Sequence, residues 1–300
     1  MSSLIRYFGG KHEMAPWICD IIDEWQFSCY VELFFGAGHV LFELLARRPT
    51  NRLRIIINDL SRVVYSFWRC VSHGKLNKKL CAKLEATPYG SDFLGCAARL
   101  KNKAELKAGK LSNRELVENA WALYVLCRQS FGGIIHINPG LSCIYKGDGG
   151  SSLSAFHNNQ LNIVKYYDLI HHAQILNHDA FNLLGRLVKK ESVLIYADPP
   201  YYTGDDGKNV SGYIINQLDF SWHKRLVELL SLCRGVVLLS YAENAEIDAL
   251  ISGIGGWERR VFVKNSTNST HECGGSQTFY NDVLYVRGSK DKRVQLGLFD

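Results

Sequence analysis

No apolar run in this sequence approaches the ~18 residues of a membrane-spanning helix, and Met1 to Glu13 lack the apolar centre of an export signal. The expectation is a chain that neither spans a membrane nor is exported, in a cytoplasmic setting. Proline is scarce, at 6 residues, and 26 glycines show no collagen-like period, so fibrous and wholly disordered chains are excluded. No C-x-x-C pair occurs among the nine scattered cysteines, whose odd number argues against a disulfide framework. They read as small apolar thiols in a reducing compartment. The ten histidines are scattered too, and His171-His172 lacks the spacing of a metal-binding helix, so no metal is expected. There is no complete G-x-G-x-x-G, no phosphate loop ending in Lys-Ser/Thr, and no internal repeat.

What is present is 300 residues, 47% hydrophobic and 21% charged, enough for one α/β core with a large insertion or for two domains. The net charge of +6 is unevenly spread. Residues 1–61 carry −1, residues 62–146 carry +9 and residues 147–300 carry −2. The excess includes Lys75, Lys78, Lys79 and Lys83, then Lys101, Lys103, Lys107 and Lys110. Such a cationic segment is either a solvated helical surface or a surface for a polyanion, since neutralising phosphates requires local positive charge.

Helical periodicity over Met14–Trp25 follows the turn at Gly9-Gly10. Tyr30–Phe34 is a short apolar run of strand length, followed by Gly36-Ala37-Gly38 and a helix over Val40–Ala46. Arg54–Asn58 is a second, β-branched strand ending at Asp59. Together they form a βαβ unit. Charged helical stretches occupy 61–73, 76–86, 92–108 and 112–128, and the Gly/Asn/Ser-rich residues 131–154 suggest turns and a hairpin. Strand and helix alternation resumes with Gln174–Leu176, Val193–Ala197, Val236–Ser240 and Asp282–Val286. The expected architecture is an α/β sheet formed by 1–60 and 168–300 and interrupted by a mostly helical insert, 61–167. In such sheets the strands feed ligand loops at their C-terminal ends, so Gly36, Gly38, Asp59, Asp179 and Asp198 should converge on one rim.

A carboxylate ending the strand after a G-x-G turn can accept bonds from both hydroxyls of a ribose. Gly36, Gly38 and Asp59 therefore fit a nucleoside-bearing ligand without a pyrophosphate. Asp198-Pro199-Pro200-Tyr201 follows an apolar strand directly, and two prolines fix the chain in a rigid extended turn. That turn can aim a carboxylate and a carbonyl, both acceptors, at the two hydrogens of an exocyclic amino group. Tyr201 supplies a flat face on which an extruded base can stack.

In this order, Tyr7-Phe8-Gly9-Gly10-Lys11, Glu32-Leu33-Phe34-Phe35-Gly36-Ala37-Gly38, Asn58-Asp59 and Asp198-Pro199-Pro200-Tyr201 resemble the Dam-type (D12 class) adenine-N6 DNA methyltransferases. The resemblance spans residues 5–60 and 173–286. It implies a Rossmann-like, S-adenosylmethionine-dependent methyltransferase sheet with an inserted target-recognition domain. It further implies that Tyr7, Lys11, Phe34, Gly36, Gly38, Asp59, Asp179 and Asp198 hold the cofactor, with Lys11 toward the methionine carboxylate, Asp59 at the ribose and Asp179 near the adenine. Asp198, Pro199 and Tyr201 would carry transfer to adenine N6 of double-stranded DNA at a specific short site, by base flipping and direct transfer. Arg128 and Lys146 would contact DNA. No Pro-Cys pair of the kind that attacks the cytosine ring is present. No obligate protein partner is implied. Methylation of RNA adenine or of cytosine N4, and a catalytically idle DNA-binding relative, are the alternatives. The segments 203–208 and 265–278 read either as loops that close over ligand or as plain solvent loops.

Overall fold

The computed structural model describes residues 4–5, 9–48, 53–130, 140–142, 156, 162–202, 204, 218–263 and 281–289. Tyr7, Lys146, the expected hairpin at 131–154 apart from a few residues, and nearly all of both expected loops lie outside them.

Seven strands form one sheet in the order β3-β2-β1-β4-β5-β7-β6. They are β1 (Cys29–Glu32), β2 (Arg54–Asn58), β3 (Gln174–Leu176), β4 (Val193–Ala197), β5 (Val236–Ala242), β6 (Glu258–Phe262) and β7 (Asp282–Arg287). The first five in that order pair in parallel, while β7 runs antiparallel between β5 and β6. β1 pairs with both β2 and β4, so the chain order reverses beside it, which is where open α/β sheets bind ligands.

The central strands β1 and β4 are buried along their whole length, which is why their sequences are near-continuous apolar runs. Alternate side chains enter two apolar clusters. Tyr30, Ile55, Ile57, Leu194 and Tyr196 face one side of the sheet. They pack with helices α1 (Ala15–Asp23), α2 (His39–Arg47), α3 (Arg62–Val71), α4 (Gly74–Glu85), α5 (Ser91–Leu106), α6 (Asn113–Gln129) and α7 (Asn162–Ile170). Val31, Ile56, Ile195 and Val237 face the other side, against α8 (Ala180–Leu187), α9 (Phe220–Ser231) and α10 (Ala245–Ile254).

The helices that sequence charge sets apart, α3 to α6, share one continuous apolar cluster with the sheet face. Trp68, Phe67 and Tyr124 lie at its centre, with Phe67 stacked on Tyr124 and edge to face with Trp68, which meets Phe42 and through it Tyr166. The basic segment is also less uniformly exposed than its sequence suggests. Lys101 is buried, and Lys83 is paired with Glu118 at 2.7 Å while lying over the Trp121 ring. β1 ends at Glu32, two residues before the expected apolar run does, because Leu33–Phe35 already turn toward the glycines.

Candidate active site

A cleft with about 1000 Å³ of open space lies at the C-terminal ends of β1, β2 and β4. Gly9 to Lys11, Glu32 to Val40, Asn58 to Ser61, His178 to Ala180, Asp198, Pro200, Leu218 and Trp222 border it. Of the residues singled out from sequence, Lys11, Phe34, Gly36, Gly38, Asp59, Asp179 and Asp198 thus meet in one place.

The glycine turn is shaped by its neighbours. Gly36 and Gly38 adopt φ of 49° and 70°, values that favour glycine, and Gly38 caps α2. A Cβ on Gly38 would stand 2.3 Å from the Phe35 ring, so the turn is closed sterically as well as conformationally. Asp59 fastens it from β2: one carboxylate oxygen accepts the Gly36 N–H at 2.9 Å and the other accepts the Ser61 N–H at 2.9 Å. Asn58 ties the loops of three strands, donating to the Leu33 and His178 carbonyls at 3.0 Å each. From α3, the Trp68 indole donates to the Gly36 carbonyl at 2.8 Å.

Asp179 caps α8, accepting from Phe181 and Asn182 N–H through one oxygen, and also borders the cleft. Phe34 and Trp222 meet edge to face at 6.1 Å along the cleft wall. Leu60, 44% exposed, lines the same cleft as an accessible apolar side chain. The combination of a flat apolar slot and carboxylates at its edges suits a nucleoside.

At the end of β4, Asp198 is bound from two sides. The Lys11 ammonium lies 2.9 Å from its Oδ1, and the Ser240 hydroxyl of β5 donates to it at 2.7 Å. Ser240 in turn lies 3.2 Å from the Tyr196 hydroxyl. Lys11 also donates to the Gly9 carbonyl at 3.1 Å and stands 4.6 Å above the Tyr201 ring. Its cation therefore sits on Asp198, between that carboxylate and the ring expected to receive a base. Tyr201 is half-buried, tilted against Tyr241 at 5.8 Å and hydrogen-bonded to Asp282 at 3.3 Å. Pro199 is buried, and it is Pro200 that borders the cleft. Arg128 is turned inward and half-buried, donating to the Leu4 carbonyl at 2.9 and 2.7 Å.

Burial dominates the electrostatics. It raises the Asp59 carboxyl to about 6, against the downward pull of the Gly36 and Ser61 N–H groups. It also raises Asp198, an effect that the Lys11 charge and the Ser240 bond reduce. Glu32, 3% exposed, is raised well above the usual range by burial, opposed by the Tyr30 hydroxyl 2.9 Å away. His39 is lowered to about 4 by burial and so is neutral at pH 7. Burial pushes the thiols of Cys19, Cys70 and Cys127 up to about 12, which leaves them inert. Among the described residues no group of three or more His, Cys, Asp or Glu is arranged to hold a metal. Sequence reasoning named neither Ser240, Trp68 nor Glu32 as part of the site. Glu32 opens the glycine-turn motif and could have been found from its position; Ser240 and Trp68 carry no local signal.

A doubly wound sheet with β7 antiparallel beside β5, and a carboxylate-lined cleft at its switch point, is the Rossmann-like sheet of S-adenosylmethionine-dependent methyltransferases. The sequence matches the family described as D12 class N6 adenine-specific DNA methyltransferase over residues 7–265, and the chain belongs to that family. Adenine methylation with S-adenosylmethionine as donor follows from that membership. No curated protein sequence matches the chain significantly. Among solved structures it is similar to the putative methyltransferase yhhF from Escherichia coli, at 11% identity and a TM-score of 0.37, covering 95% of this chain and 91% of that one. It is also similar to the rRNA methyltransferase aviRa from Streptomyces viridochromogenes, at 12% identity and a TM-score of 0.41, covering 95% and 90%. Among the described residues no helix is long and apolar enough to cross a membrane.

Proposed function

We propose that this chain methylates N6 of adenine in double-stranded DNA at a specific short site, with the target base extruded from the helix. The observation that carries this reading is the position of Asp198, at the end of β4 and on the cleft, where Lys11 and Ser240 hold it and Lys11 also stands over the Tyr201 ring. The methyl donor supplies an electrophilic methyl group on a sulfonium. Asp59, Asp179 and Asp198 place carboxylates along the cleft, which suits a cationic ligand. Asp59 would hold the ribose and Asp179 the adenine of the donor, with Phe34 and the Gly36–Gly38 turn against its methionine part. Tyr7 would add an aromatic contact.

An adenine amino nitrogen is a weak nucleophile because its lone pair is delocalised into the ring. Acceptor bonds from Asp198 and the Pro199 carbonyl would localise that pair, and Tyr201 would fix the ring plane by stacking. The N–C bond forms as the S–C bond breaks, and the nitrogen then releases one proton. Positioning and complementary electrostatics carry the rate, with no covalent enzyme intermediate. Residues 61–167 would act as the target-recognition part, gripping phosphates and carrying Lys146 toward the DNA, while 1–60 and 168–300 perform transfer in a cytoplasmic setting.

The test is incorporation of a labelled methyl group into duplex DNA, followed by digestion to nucleosides. N6-methyladenine from duplex DNA, abolished by Asp198→Ala in a protein that still binds S-adenosylhomocysteine, supports the reading. N4-methylcytosine, label only in RNA, or full activity of Asp198→Ala overturns it.

A further inference from the structure

Among the described residues of 62–146, two groups of exposed basic side chains lie toward opposite ends of the sheet. The first is the corner between α5 and α6. Its inner side is fastened to the cleft: the Glu105 carboxylate accepts from the Ser61 hydroxyl at 2.7 Å and from the Arg62 and Val63 N–H groups at 3.0 and 3.2 Å. Ser61 itself lines the cleft, and Arg62 reaches across to the Gly109 carbonyl. Beyond this anchor the chain stands proud of the surface, with Leu106 88% exposed. Lys103, Lys107, Lys110 and Arg114 are exposed around it, Lys107 being held by Glu115.

The second surface is the start of α4, with Lys75, Lys78 and Lys79 exposed. α3 begins at the cleft and runs for ten residues before α4 starts, which carries the chain about 15 Å away. The position is fixed independently by α7, whose Tyr167 stands over Gly74 and which leads into the N-terminal end of β3. These lysines therefore lie toward the end of the sheet opposite Asp59 and Asp198.

We propose that the α5–α6 corner, through Lys103, Lys110 and Arg114, is the surface that binds duplex DNA phosphates while the target adenine is in the cleft, and that the α4 lysines take no part. Phosphate contacts fix register on the duplex, and cations beside the cleft are the ones placed to make them while a base is engaged there. The inference rests on the DNA substrate proposed above.

Duplex DNA binding is measured against salt concentration for three proteins, all checked for S-adenosylhomocysteine binding. They are the unmodified chain, Lys103→Gln/Lys110→Gln/Arg114→Gln, and Lys75→Gln/Lys78→Gln/Lys79→Gln. Each phosphate contact contributes about 0.9 to the slope of log affinity against log salt, so the corner variant should bind at least tenfold more weakly, with a slope shallower by about 2 to 3. The α4 variant should match the unmodified chain. An unchanged slope in the corner variant, or an equal change in both variants, overturns the assignment and leaves the DNA reading intact. An unmodified chain that prefers duplex RNA, or that binds no duplex DNA, overturns both.

Discussion

Lys11 and Asp198 form an ion pair of 2.9 Å across the junction of the N-terminal glycine turn and β4, with side chains only 8% and 18% exposed. The pair lies where the target amino group is expected, so the cation of Lys11 favours the ionised form of Asp198 before any ligand arrives. Burial alone would raise this carboxyl, and Lys11 is the strongest influence opposing it.

Removing that cation should therefore raise the Asp198 carboxyl further. Lys11→Met is expected to lose most methyl transfer at neutral pH and to move the acidic limb of the pH–rate profile upward. It should also cost about 3 kcal/mol or more of stability, because a nearly buried charge loses its partner. Ser240→Ala should move the same limb in the same direction by less. An unmoved limb in both variants, read from methyl transfer at a series of pH values, contradicts the role given to the pair.

Asp59 predicts a pH dependence with a definite sign. Its carboxyl is raised in the folded chain to about 6, from an ordinary value of 3.8. Between these values the folded state holds a proton that the unfolded chain releases. The group therefore supports stability fully at low pH and loses that contribution as pH rises through about 6. Binding should run the other way, because only the ionised form presents its full acceptor strength to a ribose. Calorimetric affinity for S-adenosylhomocysteine should fall as pH drops below 6, and Asp59→Asn should flatten that dependence.

The glycine turn gives a paired test. Gly38→Ala places a methyl 2.3 Å from the Phe35 ring at a positive φ, and overpacking with backbone strain should cost roughly 2 to 4 kcal/mol and weaken cofactor binding. Gly109→Ala has a similar φ of 80° but nothing within 4 Å, so it should cost only about 1 kcal/mol and leave binding alone. Equal losses in urea denaturation would show that sterics at Phe35 do not shape the turn.

Trp68→Phe keeps the ring in the core but removes the donor to the Gly36 carbonyl. A cost of about 1 to 3 kcal/mol is expected from the unpaired acceptor. Cofactor affinity should fall with it, since α3 would no longer brace the turn. Retained affinity in calorimetry would make Trp68 purely a packing residue.

The sequence by itself determined six of the seven strands and most of the cleft, while β6, α7 and α10 were settled only by the fold. The β-branched run at Arg54–Asn58, the all-buried run at Val193–Ala197 and the helical periods of α1 to α6 are local patterns, and local sterics and periodicity dictate what they form. Asp59 and Asp198 were legible because each sits directly after a strand, and Gly36 and Gly38 because they form the turn after another, and strand ends share one rim in a parallel sheet. Tertiary structure alone decided what those residues touch. Ser240 reaches Asp198 because β5 pairs with β4, Trp68 reaches Gly36 because α3 packs beneath the turn, and Lys11 crosses to β4. The charge count located the excess cations in 62–146 but could not orient them. The direction of a helix depends on what its apolar face packs against, so only the packed structure buries Lys101 and separates the exposed lysines of α4 from those of the α5–α6 corner.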